Sequence, residues 1–261
     1  MTEKTKNLTT PVLVVLLVVA AFLVGTLWTK NQALEKGQGE AASPTSGATK
    51  IAPLTVDMLK NAFSKSVIKF GDAKGKLLFV EVSDPSCPYC QIAAGQNGEL
   101  NKQAGDRFKL VKDGGTYVAP VPEIKKLVDS GKASFTFLYF PGHGSGEMGT
   151  KAMYCAFEKG KYWEVHDKLM SSEGYALLNN TVKNDKAKSG EVANFLKAVF
   201  DPAVMKDCLD SGKYDSQLQI DQGLASELGV SGTPGFFINT TNFAGAYSYK
   251  DMETAVTGAL K

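Results

Sequence analysis

Two cysteines separated by two residues, Cys87 and Cys90, are the strongest chemical signal in the 261-residue chain. They follow an apolar run at residues 77–82 that predicts a buried strand, and they should open the next helix. A thiol at a helix N-terminus meets unpaired backbone N–H groups and the positive end of the helix dipole, which stabilise its thiolate. We therefore expect thiol–disulfide exchange in which the more exposed Cys87 attacks and Cys90, one turn further on, resolves the mixed disulfide.

The same cysteine spacing also occurs in structural zinc sites, which need two further ligands, normally a second close pair. Cys155 and Cys208 stand alone in the sequence, and the two histidines, His143 and His166, form no ligand pattern. A purely structural bridge within the first pair would restrain little chain entropy because its loop is so short. The sequence therefore favours a redox pair over zinc and predicts neither a metal site nor a cofactor.

Two residues outside the cysteine pair strengthen the redox interpretation. Glu81 lies inside the apolar run, six residues before Cys87, where a carboxyl is costly to bury unless it has a partner or a task. It is either a solvent-facing residue of an edge strand or a buried proton acceptor for Cys90, with a pKa raised by desolvation. Pro234 enters the apolar segment 235–239, and a proline there marks an edge strand or a special backbone.

The apolar pattern predicts an α/β core interrupted by a helical block. Strands are predicted at residues 67–70, 77–82, 134–140 and 235–239, with residues 243–246 as the hairpin partner of the last. Helices are predicted from an N-cap at Thr55 through Phe63, from Cys87 through Leu100, within residues 147–229 and at residues 249–260. Residues 105–122, rich in glycine and proline, are predicted to be irregular.

The N-terminal part of the chain predicts a membrane anchor. Residues 11–28 carry no charge, and as a helix they would span about 27 Å, close to the hydrocarbon thickness of a bilayer. Lys4 and Lys6 precede this segment, so the positive-inside rule places residues 1–10 in the cytoplasm and the rest of the chain outside. A cleaved secretory signal is the alternative, although its apolar core is usually shorter and is followed by a small-residue cleavage site.

The Gly-, Ala-, Ser- and Pro-rich residues 29–53 predict a flexible linker to a folded domain at residues 54–261. Beyond the first thirty residues the chain carries 26 basic and 26 acidic side chains, so no basic surface suggests nucleic acid. The prediction is a single-pass membrane protein whose catalytic domain is extracytoplasmic, where disulfides form and persist.

The runs FVEVSDPSCPYC and VSGTPGFFIN, with the helical block between them, resemble the DsbA-like thiol–disulfide oxidoreductases of bacterial envelopes. The resemblance covers roughly residues 55–260. It implies an α/β thioredoxin fold with a helical domain, about residues 147–229, inserted after the third strand. The apolar segment 11–28 adds one transmembrane helix before this fold. It also matches Glu81 to the buried glutamate of the family.

The resemblance implies that Pro234 is cis and faces the active-site disulfide, with Thr233 alongside to bind the substrate backbone. Pro88 and Tyr89, which lie between the two catalytic cysteines, are assigned to the same substrate-binding surface. The Pro-Tyr dipeptide departs from the Pro-His of the best-known oxidases, so stabilisation of the thiolate by histidine is absent here.

Cys155 and Cys208 lie where a subgroup of these proteins carries a second, structural disulfide within the helical domain. Two solitary cysteines on separate helices of an exported domain are also natural candidates for pairing. A bridge that closes about fifty residues would stabilise the fold by roughly 4 kcal/mol in the chain-entropy model. The alternative is two buried free thiols.

We expect an oxidase that passes the Cys87–Cys90 disulfide to exported cysteine-containing proteins. The resemblance also implies a quinone-linked membrane partner that reoxidises the pair. An extracytoplasmic reductase or isomerase remains open, because the direction of electron flow depends on the reduction potential and the partner. A non-catalytic, tethered binding protein is the alternative from a different class. His166 is expected to be a helix-packing residue and His143 to face solvent.

Overall fold

A five-stranded mixed sheet forms the centre of residues 53–261, the part of the chain that the computed structural model describes. Its strands are β1 (Lys69–Phe70), β2 (Leu78–Ser83), β3 (Ser134–Tyr139), β4 (Gly235–Ile238) and β5 (Thr241–Ala244). They are arranged in the order β1-β3-β2-β4-β5. β2 and β3 are parallel, whereas the other neighbouring pairs are antiparallel. β2 is therefore the central strand.

Helices precede, cover and interrupt this sheet. In chain order they are α1 (Val56–Lys65), α2 (Pro88–Ala94), α3 (Gly98–Gln103), α4 (Pro120–Asp129), α5 (Glu147–Phe157), α6 (Tyr162–Leu169), α7 (Ser172–Ala176), α8 (Ser189–Phe195), α9 (Pro202–Asp210), α10 (Asp215–Glu227) and α11 (Tyr249–Leu260). A π-helix, Leu177–Val182, follows α7 directly. Helices α5 to α10 all lie between β3 and β4, so the helical block interrupts the sheet after its third strand.

The predicted cytoplasmic segment 1–10, the anchor at 11–28 and all but the last residue of the linker at 29–53 lie outside the described residues. From residue 53 onward, no helix combines the length and the apolarity needed to cross a membrane.

Both faces of the sheet are covered, which is why its central strands read as nearly continuous apolar runs. Every residue of β2 and of β3 is buried. Helices α1 and α10 cover one face, where the buried apolar residues include Leu59, Phe63, Leu78, Val80, Val82, Leu224 and Phe237. Helices α2, α4, α11 and the helical insertion pack on the other face, whose buried residues include Phe79, Ile92, Ile124, Phe135, Phe137, Phe236 and Met252.

The single helix predicted from Cys87 through Leu100 is wrong, because the structure breaks it into α2 and α3. Gly95 ends α2 in the left-handed region at φ 69°. A Cβ on Gly95 would also lie 2.5 Å from the Cβ of Ala119, so only glycine fits the close approach. Asn97 then caps α3, since its side chain accepts a hydrogen bond from the N–H of Leu100 at 3.1 Å.

The irregular segment predicted at residues 105–122 is correct only as far as residue 119. Two short 3-10 turns, Asp106–Phe108 and Val111–Asp113, lie in that part. Residues 120–122 instead begin α4, which the sequence interpretation missed. Pro120 stands at the start of this helix, where its missing N–H costs nothing because the first N–H groups of a helix have no partner within it.

Within the helical insertion, Cys155 of α5 and Cys208 of α9 form a disulfide. Their Cα atoms are 6.2 Å apart and 53 positions separate them in the chain. Cys155 is 2% exposed and belongs to the main apolar core. The bridge thus ties the outer helix α9 to a core helix of the insertion.

Replacing Cys155 and Cys208 together by alanine is expected to lower the free energy of unfolding by roughly 4 kcal/mol, because the unfolded chain regains the freedom of the closed loop. Denaturant unfolding of the purified chain measures this loss. Each single replacement should cost nearly as much as the double one, since either change removes the whole bridge. Losses that simply add would instead indicate two independent buried thiols.

Candidate active site

Cys87 and Cys90 lie at the carboxyl end of the central strand, where the chain turns into α2. Cys87 is the N-cap of this helix and Pro88 its first residue. Both thiols are free and buried, with Cys87 4% and Cys90 0% exposed. Cys87 is thus the more accessible of the two by a small margin, and Tyr89 between them is half-exposed.

The local structure lowers the pKa of Cys87 from the usual 9.0 to about 6. The largest cause is a hydrogen bond from the Cys90 thiol, which outweighs the opposing effect of burial. The hydroxyl of Thr233 and the backbone N–H groups of Cys90 and Tyr89 lower it further. Hydrogen bonds to the ionised form of a group favour that form, so Cys87 is largely a thiolate at neutral pH.

The pKa of Cys90 moves in the opposite direction, well above its usual value. Burial is the main cause, and the neighbouring Cys87 adds to it through the shared hydrogen bond and its charge. Cys90 therefore stays protonated while Cys87 is ionised. This asymmetry suits Cys87 to attack and Cys90 to wait until a mixed disulfide has formed.

The Thr233–Pro234 peptide bond is cis and lies against Cys87. The sulfur of Cys87 is 3.6 Å from the carbonyl oxygen of Thr233, to which the thiol donates when it is protonated. The carbonyl of Pro234 accepts a hydrogen bond from the N–H of Gly245 at 2.8 Å. β4 follows immediately and lies between β2 and β5, so the proline marks a special backbone rather than an edge strand.

A second loop, residues 140–146, lies against both Cys87 and Thr233. A Cβ on Gly142 would overlap the Thr233 hydroxyl and come within 3.1 Å of the Cβ of Cys87. The two loops therefore meet across the nucleophile, and only a residue without a side chain fits at this contact. His143 in the same loop is exposed to solvent.

Asp84, which the sequence interpretation missed, ties this loop to the turn before Cys87. Its buried carboxylate accepts hydrogen bonds from the N–H and hydroxyl of Ser86 at 2.7 and 2.6 Å. It also accepts from the N–H groups of Gly142 and His143 at 2.8 and 2.9 Å. The signal was present in the sequence, since an aspartate followed by proline at the end of a buried strand favours a side-chain-capped turn.

An open groove runs beside Cys87 from Tyr89 toward α11. The Tyr89 ring lies 5.9 Å from the ring of Phe108, which lies 5.6 Å from that of Tyr117. The guanidinium of Arg107 stands 5.4 Å above the Phe108 ring. The groove has a volume of about 450 Å³ and is lined by Tyr89, Arg107, Phe108, Thr233, Ala244, Gly245, Ala246 and Tyr247. The irregular segment thus builds one wall of the space in front of the nucleophile.

Glu81 is 1% exposed on the central strand, so the edge-strand alternative is wrong. Burial raises the pKa of its carboxyl, and the charge of His166 and the Ser83 hydroxyl oppose that rise. Ser83 lies on the same face of β2 and also lowers the pKa of Cys90 against the larger effect of burial. Ser83 therefore stands between the carboxyl and the resolving thiol. The role of Glu81 as proton acceptor for Cys90 stays a prediction.

His166 lies on α6, inside the helical insertion. It is 0% exposed, and its ring centroid is 5.6 Å from each of the Tyr162 and Trp163 ring centroids. This is the helix-packing position expected for it. Among residues 53–261, no group of three or more His, Cys, Asp or Glu side chains is arranged to hold a metal ion.

Comparison with known proteins places the chain in a family. A family model described as thioredoxin matches residues 120–257, which is more than half of the chain. The chain belongs to the thioredoxin family. The matched region contains the cis-proline loop and begins after the two catalytic cysteines.

Two curated relatives differ in how much of them the chain covers. Disulfide bond formation protein D of Bacillus subtilis is 21% identical over 190 residues, 70% of this chain and 72% of that protein. The Na(+)/H(+) antiporter NhaA 3 of Salinispora tropica is 23% identical over 194 residues, 73% of this chain. The chain spans only 24% of the length of that antiporter.

Solved structures share the fold. Oxidised BdbD from Bacillus subtilis has a TM-score of 0.55 at 18% identity, covering 76% of this chain and 94% of BdbD. Wolbachia pipientis alpha-DsbA1 has a TM-score of 0.53 at 20% identity, covering 74% of this chain and 89% of that protein. The expected thioredoxin fold is confirmed by the family model and by these structures.

Replacing Cys90 by alanine is expected to raise the pKa of Cys87 toward the usual value for a cysteine. The reason is that the hydrogen bond from the Cys90 thiol is the largest cause of the lowered pKa. Thiolate absorbance near 240 nm, followed across pH, measures this in the purified protein. Cys90→Ser is the matched control, since its hydroxyl can still donate and should keep the pKa lower than alanine does. Equal values in wild type and Cys90→Ala would refute the assigned hydrogen bond.

Replacing Gly142 by alanine is expected to separate the two loops that meet across Cys87, since the new methyl overlaps the Thr233 hydroxyl. Overpacking of this kind costs about 1–3 kcal/mol of stability. Because moving the loop also shifts Thr233 relative to Cys87, we expect exchange with a dithiol substrate to be several-fold slower. Gly232→Ala is the control, because a Cβ there meets open space. An unchanged exchange rate in Gly142→Ala would contradict the contact.

Proposed function

We propose that this chain is a thiol–disulfide oxidoreductase acting as an oxidase, which passes the Cys87–Cys90 disulfide to substrate proteins. The observation that carries the proposal is the asymmetry of the two thiols, a lowered pKa at Cys87 and a raised one at Cys90. The name of the Bacillus subtilis relative, a disulfide bond formation protein, agrees with this assignment.

In the proposed reaction, a substrate thiolate attacks the sulfur of Cys87 in the oxidised pair. The Cys87–Cys90 bond breaks, and Cys90 leaves as a thiolate that takes a proton, for which Glu81 is the proposed donor. A second substrate thiolate then attacks the substrate sulfur of the mixed disulfide, and Cys87 leaves as its stabilised thiolate. Two electrons pass from the substrate dithiol to the cysteine pair, and the substrate gains a disulfide.

The lowered pKa of Cys87 favours this direction because it stabilises the reduced form. Lowering the pKa of Cys87 from 9.0 to about 6 stabilises the reduced pair at pH 7 by on the order of 1 kcal/mol. For a two-electron couple this raises the reduction potential by roughly 20 mV, toward the oxidising side. The Cys155–Cys208 disulfide adds support, since such bridges persist in oxidising compartments.

The proposed setting is the outer face of a bacterial-type membrane, with residues 11–28 as the anchor. The proposed substrates are exported cysteine-containing proteins, whose backbone would lie along Thr233 and Pro234 with side chains toward Pro88 and Tyr89. The groove beside Cys87, about 450 Å³ in volume and lined by the aromatic side chains of Tyr89, Phe108 and Tyr247, is the proposed site for an extended polypeptide. The proposed reoxidising partner is a quinone-linked membrane protein.

One observation favours a reductase as the second candidate. The nucleophilic cysteine of thioredoxin titrates near 7 and that of DsbA near 3.5. At about 6, the pKa of Cys87 is closer to that of thioredoxin. The reduction potential distinguishes the two functions, because it measures the whole free-energy difference between the oxidised and reduced forms and not only the effect of one pKa.

The reduction potential of the Cys87–Cys90 pair, measured by equilibrating the full chain with glutathione, is expected to lie above that of thioredoxin. A potential near −120 mV is typical of the strong oxidase DsbA, whereas thioredoxin lies near −270 mV. A value near −270 mV would overturn the oxidase assignment and favour the reductase. Cys87→Ser is the control that separates an oxidoreductase from a binding protein. An oxidase and a reductase would both lose activity without this thiol, whereas a binding protein would keep it.

A further inference from the structure

A cluster of buried polar atoms lies between the central strand and the helical insertion. Both carboxyl oxygens of Glu81, the hydroxyls of Ser83 and Tyr162, and Nε2 of His166 make no hydrogen bond to any group in residues 53–261. None of these four residues is more than 1% exposed. Leaving a buried polar group unpaired costs about 1–3 kcal/mol, so a concentration of them in one place points to a task other than packing.

The aromatic layer between the strand and the insertion connects Glu81 to His166. Glu81 pairs with Phe137 in the parallel register of β2 and β3. The centroid of the Phe137 ring is 6.4 Å from that of Tyr162, and the Tyr162 centroid is 5.6 Å from that of His166. His166 is close enough for its charge to act on the Glu81 carboxyl. The imidazole of the insertion thus lies near the carboxyl of the central strand.

The two ring nitrogens of His166 lie in different surroundings. Nδ1 is 2.9 Å from Oδ1 of Asp167, a side chain that is 42% exposed. Nε2 is buried and unpaired. A carboxylate beside one ring nitrogen holds the proton there and leaves the other nitrogen as an acceptor. His166 therefore has a buried proton acceptor on one side and a connection to water on the other.

We propose that His166 carries protons between Glu81 and solvent, by way of Asp167, each time Cys90 gains or loses its proton. This inference rests on the proposed exchange function and adds two residues to its proton path. Glu81 needs such a path, because Phe137 and Phe236 flank it on the neighbouring strands. A carboxyl enclosed in this way could otherwise meet water only through local opening of the fold.

The proton balance closes in both half-reactions. When Cys90 resolves a mixed disulfide, its proton passes to the Glu81 carboxylate, and its thiolate attacks the sulfur of Cys87 and releases the partner as a thiolate. A side-chain rotation that brings the Glu81 carboxyl within hydrogen-bond distance of His166 then lets it give the proton to Nε2, and the Nδ1 proton leaves through Asp167 to water. When the disulfide is given to a substrate, Cys90 leaves as a thiolate and the protons move inward, which restores the first tautomer of the imidazole.

Other titratable groups around the cluster have different roles. Burial raises the pKa of Tyr162 well above its usual value, so its phenol stays protonated and does not serve as a base. Burial likewise raises the pKa of Tyr154 on α5, and the negative charge of Asp221 raises it further. Lys125 on α4 stands 5.6 Å from the Trp163 ring and pairs with Asp129. Histidine is the side chain that ordinarily gains and loses a proton between pH 5 and 8.

The experiment is a stopped-flow reaction of the reduced full chain with the chromogenic disulfide 5,5′-dithiobis(2-nitrobenzoate). Cys87 releases the first thiolate product when it attacks the reagent, and Cys90 releases the second when it resolves the mixed disulfide. We expect His166→Gln and Asp167→Asn to leave the first phase unchanged and to slow the second about tenfold at pH 7, a modest share of what general acid–base catalysis contributes. The pH profile of the second phase should shift with it.

Glu164→Gln is the matched control for Asp167→Asn, because it removes a half-exposed carboxylate of the same helix that pairs with Lys161 instead. Both of its phases should equal those of wild type. Glu81→Gln should slow the second phase by itself, and adding His166→Gln should slow it no further, since both changes interrupt one path. Asp167→Asn keeps the test valid if the buried histidine variant does not fold.

A second phase that is slowed by Glu81→Gln and unchanged in both His166→Gln and Asp167→Asn would overturn the relay while leaving the exchange function intact. Wild-type protein that reacts at Cys87 without any second phase would instead contradict the proposed exchange function itself.

Discussion

The hydrogen bond between the Cys90 and Cys87 sulfurs is the interaction on which the rest of this site depends. It is the largest cause of the lowered pKa of Cys87, and it adds to the burial that raises the pKa of Cys90. The two thiols are neighbours because Cys87 caps a helix at the end of a fully buried central strand, which places Cys90 one turn inside the core. The asymmetry therefore comes from two sources: hydrogen bonding favours the thiolate of Cys87, and burial keeps Cys90 protonated.

Two loops from distant parts of the chain lie against Cys87. One contains the cis-proline, and the other is held by hydrogen bonds to a side chain. The cis-proline loop brings the Thr233 carbonyl to the Cys87 sulfur. The loop at residues 140–146 meets it through Gly142 and is tied back by the buried carboxylate of Asp84. The two oxygens of the Asp84 carboxylate accept four hydrogen bonds. These bonds make the turn rigid, because breaking one would leave a buried carboxylate oxygen without one of its partners, which costs free energy. The site is thus preorganised before substrate arrives.

The helical insertion contributes more than a cover for the sheet. Its disulfide ties the outer helix α9 to the core helix α5, and its α6 places His166 behind Glu81. The irregular segment before α4 adds the Phe108 side chain beside Tyr89. A shared thioredoxin core therefore carries the thiol chemistry, while added segments set the access of substrate and, in our proposal, of protons.

The sequence alone determined the thiol pair, the apolar central strands and the helical block, because short local patterns encode these features. It also placed Glu81 within a buried run, although only the strand order, with β2 at the centre, decided between solvent and core. The break at Gly95, the hydrogen bonds from Gly142 and His143 to Asp84 and the meeting of Gly142 with Thr233 came only from the tertiary structure. Each depends on a contact between segments far apart in the chain, and such contacts leave no periodic signal in a single sequence.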